Sequence, residues 1–338
     1  MNLGIKVCAL VGAAFFLQAQ PPPQAQIADV SMVWGRAPHN AFTDLARYHE
    51  RWYCAFREGT DHNSSDGAVR VLTSADARVW QPAALLTAEG AGLRDPKLSV
   101  TPRGQLLLNA VAVYREPSGA RHQSLVWYSS DAREWDGPVA VGDPNLWLWR
   151  VTWHGNQAYS VGYSTQGAPS IRLYAGAEGS RFTVHAGDLF AGGEPNEASL
   201  LFSPDGTALC LLRTGGANPA SRLGRARAPY RGWSWTNLNV FLGGPNLIRL
   251  PDGRLVAGGR MTTGNPRTAL AWLDLEAGTL TEFLALPSGG DTGYPGLVYH
   301  DGLLYVSYYS SHEGRAMIYL AKVKLPPPGA APRPKAYR

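Results

Sequence analysis

Three arginines, two carboxylates and a tyrosine stand at repeat-equivalent places in this chain, and together they describe a site for an anion. Arg57, Arg213 and Arg260 each end a similar short strand (RWYCAFR, TALCLLR and RLVAGGR). Asp95, Glu197 and Tyr294 stand at the start of the strand that precedes such a segment. A guanidinium fork grips a carboxylate through two parallel hydrogen bonds, so converging arginines suggest a clamp for an anionic group. The blander alternative is that each arginine caps strand-end carbonyls or lies solvated on the surface.

The elements that position these residues recur about every fifty residues, a period that, built from short strands, marks a β-propeller rather than a row of domains. The remaining copies of the second strand are QLLLNAV, NQAYSVG and LLYVSYY, ending at Val111, Gly162 and Tyr309. Gly or Asp-Gly turns precede most of them (Gly104, Gly155, Asp205-Gly206, Asp252-Gly253, Asp301-Gly302). A third strand follows each copy: AVRVLTS, SLVWYSS, IRLYAGA, LGRARAP, TALAWLD and MIYLAKV. The pattern predicts an all-β, six-bladed β-propeller with four-stranded antiparallel blades. The sixth copy lacks an outer strand, and the strand-like segment from Ala28 to Trp34 is expected to supply it, closing the ring and removing an open edge. In a propeller hairpin the start of the inner strand and the end of the second share one face. Aligned inner strands therefore bring Phe42, Asp95, Leu148, Glu197, Gly244 and Tyr294 to the mouth that also receives Arg57, Arg213 and Arg260.

Composition agrees with a turn-rich, aromatic-rich β protein: 45% hydrophobic residues, 38 Gly, 25 Pro and 11 Trp in 338 residues. The formal charge of +5 is misleading, because Lys6, Arg333, Lys335 and Arg338 lie in the leader and tail. The body is near neutral and so does not indicate a basic nucleic-acid groove. The first 20 residues, with one Lys and an apolar run from Val7 to Leu17, read as a signal peptide and predict a secreted or periplasmic protein without a membrane span. Residues 21–26 then read as a Pro-rich linker, 27–325 as one propeller domain and 326–338 as a disordered tail. Cys54 and Cys210 occupy equivalent sites of copies one and four, on opposite sides of a six-fold ring, and are expected to be buried free thiols.

With the mouth residues placed, the chain resembles the sialidase (neuraminidase) superfamily of six-bladed propellers. Ser74–Trp80 and Ser129–Trp135 resemble that family's Asp-box turns, one residue shorter between Asp and Trp, and 178–182 is a degenerate third copy. Asn196-Glu197-Ala-Ser-Leu with Arg213 resembles the segment carrying its Glu and second Arg, and Asp291-Thr-Gly-Tyr294-Pro-Gly resembles that of its nucleophilic Tyr. The family draws an Arg triad from blades one, four and five, where Arg57, Arg213 and Arg260 fall. The family's first Arg, however, opens the inner strand of blade one in a Phe-Arg-Ile-Pro motif, whereas here that strand reads Ala41-Phe42-Thr43-Asp44. Arg260 is similarly displaced.

The resemblance implies an exo-acting glycoside hydrolase that cleaves a terminal α-linked sialic acid, or a related acidic sugar, from a glycan with retention. Tyr294 would be the nucleophile and Glu197 its base. A tyrosine starts neutral and so avoids repelling an anionic substrate, but its pKa near 10 demands a partner base. For the general acid, the loop after Arg57 offers Asp61, preferred over Asp66 and His62. Asp95 suits substrate hydroxyls or an amide, or is an Asp-Pro turn, and Arg150 is a further candidate for the mouth. The two other readings are a catalytically silent glycan-binding propeller and a glycosidase of other specificity using a carboxylate pair. No His-rich or Cys-rich metal spacing, phosphate-binding Gly loop or Gly-x-Ser-x-Gly elbow is present, so neither metal nor cofactor is expected, and the protein is read as a monomer.

Overall fold

The second strand of each copy is mostly apolar and buried, as in Leu106–Tyr114, because both its faces are covered by neighbouring blades. The outermost strands are mostly exposed, as in Asp136–Val141. This gradient from core to rim is what the computed structural model shows; it describes residues 24–116, 119–177, 179 and 181–329. The predicted signal peptide, the first half of the linker, the end of the tail and part of the third Asp-box-like turn lie outside the described residues.

Six sheets form six blades, and in five of them consecutive strands pair in chain order. The inner strands are His39–Tyr48, Ala91–Val100, the broken pair Leu146–Leu148 and Thr152–His154, Glu194–Phe202, Gly243–Arg249 and Thr292–His300. In the sixth blade Gln26–Trp34 pairs antiparallel with Met317–Lys324, matching Ser31 to Leu320, so the N-terminal segment closes the ring as expected and begins two residues before Ala28. Cys54 and Cys210 are free and buried. In the Ser74–Trp80 and Ser129–Trp135 turns, Asp76 and Asp131 each accept two backbone N–H bonds, from Arg78 and Val79 and from Arg133 and Glu134. These carboxylates hold turns at the rim, away from the mouth.

One irregularity repeats around the ring and makes the site. The inner strands of blades one, two, four, five and six each carry a bulge, at Ala41/Asp44, Arg94/Lys97, Pro195/Ala198, Gly243/Asn246 and Gly293/Gly296. A bulge leaves residues unpaired and re-aims their side chains. The unpaired positions include Phe42, Asp95, Glu197, Gly244 and Tyr294, all foreseen by the repeat alignment. In blade three the strand breaks, and Trp149, rather than Leu148, faces the centre: its ring lies 5.6 Å from that of Tyr294 while Leu148 packs between blades. Phe42, Asp95 and Tyr294 hold positive φ angles of 62°, 49° and 53°. That region costs a non-glycine residue roughly 1–2 kcal/mol, which the surrounding packing must offset.

Candidate active site

Tyr294 and Glu197 are both buried, and the Tyr294 hydroxyl donates to Glu197 Oε1 at 2.5 Å. The second carboxylate oxygen, Oε2, receives the Gly244 N–H at 2.7 Å and lies 2.9 Å from Arg213 Nη1. The carboxylate is thus oriented from three sides, with Oε1 left to the phenol. Burial first, then the neighbouring Glu197 charge, pushes the Tyr294 pKa well above its usual value. The resting proton belongs to tyrosine and can leave only toward Glu197. Gly244 is required here: a Cβ on it would stand 2.5 Å from Tyr294 Cγ. Rings of Phe42 (5.1 Å), Trp149 and Tyr309 (6.0 Å) pack around Tyr294 and fix it.

Asp95 comes to the same opening from blade two. It is buried, its Oδ1 has no hydrogen-bond partner among the described residues, and burial raises its pKa against the pull of Arg94 and Lys97. A carboxyl so placed holds a proton to higher pH than a solvated aspartate.

The arginines divide. Arg213 lies against Glu197, and Arg260 sits with its guanidinium carbon 5.4 Å from the Tyr294 ring centre and Nη1 3.7 Å from Asp291 Oδ1. Arg57 is register-equivalent to Arg260, opposite Ala41 as Arg260 is opposite Gly243. Its side chain nevertheless turns into the loop that follows. There it donates to Asp61 O at 2.8 Å, to Ser64 O at 2.6 Å and to Ser64 Oγ at 2.8 Å. A Cβ at Gly59 or Gly67 would collide with its guanidinium, so both glycines make room for it. Arg57 is fully buried and holds the loop rather than presenting charge to the opening. Arg94, unmarked as a site residue by the repeat, stands in that region instead: its guanidinium carbon is 5.0 Å from the Phe42 ring centre and its Nη1 3.3 Å from Asn63 Oδ1. Arg150 is engaged below the opening, paired through both terminal nitrogens with buried Asp44 at 2.8 and 3.0 Å. Trp147 stacks on Tyr163 at 5.9 Å within its own blade, while Trp149 faces the centre beside Tyr294.

The three loop residues read as proton donors have other engagements. Asp66 accepts Thr60 N–H at 3.1 Å and the hydroxyls of Thr60 and Ser64, bonds that take its pKa down to about 2 although its burial pulls the other way. Asp61 caps the turn at Asn63 N, 2.7 Å away. His62 Nδ1 lies 2.7 Å from Asp291 Oδ2. His39 Nε2 lies 2.9 Å from the same oxygen, and the Tyr309 hydroxyl donates to Oδ1 at 2.7 Å. Burial works against the Asp291 charge, but these bonds hold its carboxyl well below the usual range. The sequence names Tyr309 as a second-strand end and Asp291 within the Tyr294 segment but gives neither a role, and it does not single out His39: His62 and Asp291 are 229 positions apart and His39 and Asp291 252 apart, a separation no local motif can span.

Solved structures share this architecture. A protein of unknown function from Dyadobacter fermentans matches with a TM-score of 0.80 at 20% identity, over 90% of this chain and 100% of that one. An α-L-arabinanase of Penicillium chrysogenum, solved with arabinobiose, matches at 0.68 and 13%, over 88% and 98%. Trypanosoma rangeli sialidase, solved with sialic acid, matches at 0.64 and 10%, over 92% of this chain and 60% of that one. The fold is one that propeller glycosidases share. No family model and no curated protein matches the chain. At such identities the likeness is one of architecture, and activity must be argued from the site.

Proposed function

We propose that this protein is a retaining glycoside hydrolase that removes a terminal acidic sugar, sialic acid or a relative of it, from a glycan. The observation that carries this reading is the 2.5 Å bond from Tyr294 to a Glu197 carboxylate whose other oxygen is already occupied by Arg213 and Gly244. In the first step Tyr294 Oη attacks the anomeric carbon as its proton passes to Glu197. The glycosidic bond breaks, and the leaving oxygen takes the proton of Asp95. In the second step water, deprotonated by Asp95, attacks the glycosyl–tyrosine, and Glu197 returns the proton to the departing phenolate. Asp95 replaces Asp61, Asp66 and His62 as the proton donor because it alone of the four is buried, has a raised pKa and keeps a carboxyl oxygen without a hydrogen-bond partner among the described residues. Arg94, Arg213 and Arg260 are the cations available to an anionic substituent.

A second reading is favoured by Phe42, which stands at the mouth in blade one, and by the likeness to an arabinanase fold. In it Asp95 and Glu197 act as a carboxylate pair on a neutral sugar. Turnover of an aryl α-sialoside and an aryl α-L-arabinofuranoside by the parent and Tyr294→Phe decides. Sialoside hydrolysis abolished in the variant supports the first reading. Arabinofuranoside hydrolysis that survives it supports the second, and no turnover of any acidic or neutral glycoside contradicts both.

A further inference from the structure

Two imidazoles and a carboxylate from three separate elements meet at one point of the mouth. His39 comes from the start of the first inner strand, His62 from the loop after Arg57, and Asp291 from just before the last inner strand. His39 Nε2 and His62 Nδ1 lie 2.9 and 2.7 Å from the same oxygen, Asp291 Oδ2, and the three potential ligand atoms all fall within 4.8 Å of one another. One histidine would satisfy that oxygen. Two nitrogens, at 2.9 and 2.7 Å from it, stand close to the spacing of ligand atoms around a first-row ion, which bonds of about 2.0–2.1 Å place roughly 2.9–3.4 Å apart.

We propose that His39, His62 and Asp291 bind a divalent transition-metal ion, with Zn2+ the species their two nitrogens and one oxygen suit best. The carboxylate of the set is held by its surroundings. Tyr309 donates to Oδ1, the oxygen turned away from the histidines, and Ser311 Oγ accepts the Asp291 N–H at 2.9 Å, so side chain and backbone are both fixed. Such outer hydrogen bonds orient metal ligands. The Phe42 ring, 5.1 Å from that of His62 and 6.4 Å from that of His39, supplies an apolar floor. Arg260 opposes the added charge, but it approaches Oδ1 and not Oδ2. The His62 and Asp291 side chains are 38% and 28% exposed, so the remaining coordination positions open to water or to a substrate oxygen at the mouth. This assignment makes His62 a ligand and does not depend on the role given to Tyr294.

The test is a titration of tag-free, chelator-stripped full-length protein with ZnCl2 against a chromophoric competitor. One ion is expected per chain. His62→Ala and Asp291→Asn should each weaken binding by at least the roughly 10–100-fold that loss of a mere outer-shell partner costs. His300→Ala, which removes a histidine paired with Asp301 elsewhere, should leave it unchanged. His62 is part exposed, so its removal leaves the core intact, and near-UV circular dichroism verifies each variant's fold. No stoichiometric binding by the folded parent, or binding that a folded His62→Ala variant retains at full affinity, overturns the proposal.

Discussion

Replacing Glu197 by Gln tests the site with almost no change in volume. Gly244 N–H and Arg213 Nη1 both donate to Oε2, so a glutamine must leave its carbonyl oxygen there and turn its NH2 toward Tyr294. The phenol then changes from donor to acceptor, and its proton has no base to receive it. Burial already holds that proton tightly. Loss of a positioned base costs typically 10²–10⁴-fold in rate, so kcat should fall by about that factor with KM little altered. Stability should fall as well, because two charge-assisted bonds become neutral ones. Hydrogen bonds to charged groups contribute about 1.5–3 kcal/mol, and the lower end applies because Arg213 is part exposed and water compensates it. Steady-state kinetics on the identified substrate, paired with urea unfolding, reads both quantities. A folded Glu197→Gln protein whose kcat stays within a few-fold of the parent would refute the assignment of Glu197 as the base.

Three further outcomes follow from the same geometry. Asp95→Asn should depress turnover of substrates with poor leaving groups far more than of activated aryl glycosides, which need no proton, as a series of aryl leaving groups will show. Because burial raises the Asp95 pKa, the folded state binds that proton more tightly than the unfolded chain. Asp95 therefore loses stability as pH rises through its folded pKa, and at neutral pH the Asn variant should unfold at higher urea concentration than the parent. Arg57→Met should cost at least about 2 kcal/mol in urea unfolding and expose the 60–67 loop to limited proteolysis, since it removes the donor that three loop acceptors share; unchanged stability would restore Arg57 to a substrate-binding role. Gly244→Ala should lower kcat by roughly 10²-fold or more, the lower range for loss of a positioned base, because a Cβ 2.5 Å from Tyr294 Cγ must displace the ring from Glu197; kinetics and a crystal structure of the variant measure the two effects.

The repeat made the architecture legible because each blade must bury the same strand pattern against the next. That periodicity placed the strands and the closing segment, and it put Glu197, Gly244 and Tyr294 at one mouth. It could not say where long side chains end. Arg57 and Arg260 share a register, yet a loop with glycines at 59 and 67 captures one, while the other lies at the mouth beside Asp291 and Tyr294. Asp61 and Asp66 carry the right chemical groups, but turn N–H groups and hydroxyls claim their oxygens. Asp95 in Arg-Asp-Pro-Lys reads either as a mouth residue for substrate hydroxyls or an amide or as an Asp-Pro turn, and only its bulged, left-handed backbone in three dimensions shows a buried carboxyl with an unpartnered oxygen. The His39–His62–Asp291 cluster is assembled by ring closure, which joins the first and last blades and has no counterpart in local sequence.

The most direct measurement of the central claim is the identity of the residue that becomes glycosylated. A glycosyl fluoride of the acidic sugar, bearing a second fluorine beside the anomeric carbon to slow hydrolysis, should inactivate the enzyme with one adduct per chain. Peptide mass mapping should then locate the sugar on Tyr294. An adduct on Glu197 or Asp95 instead would contradict the tyrosine mechanism and establish the carboxylate pair in its place.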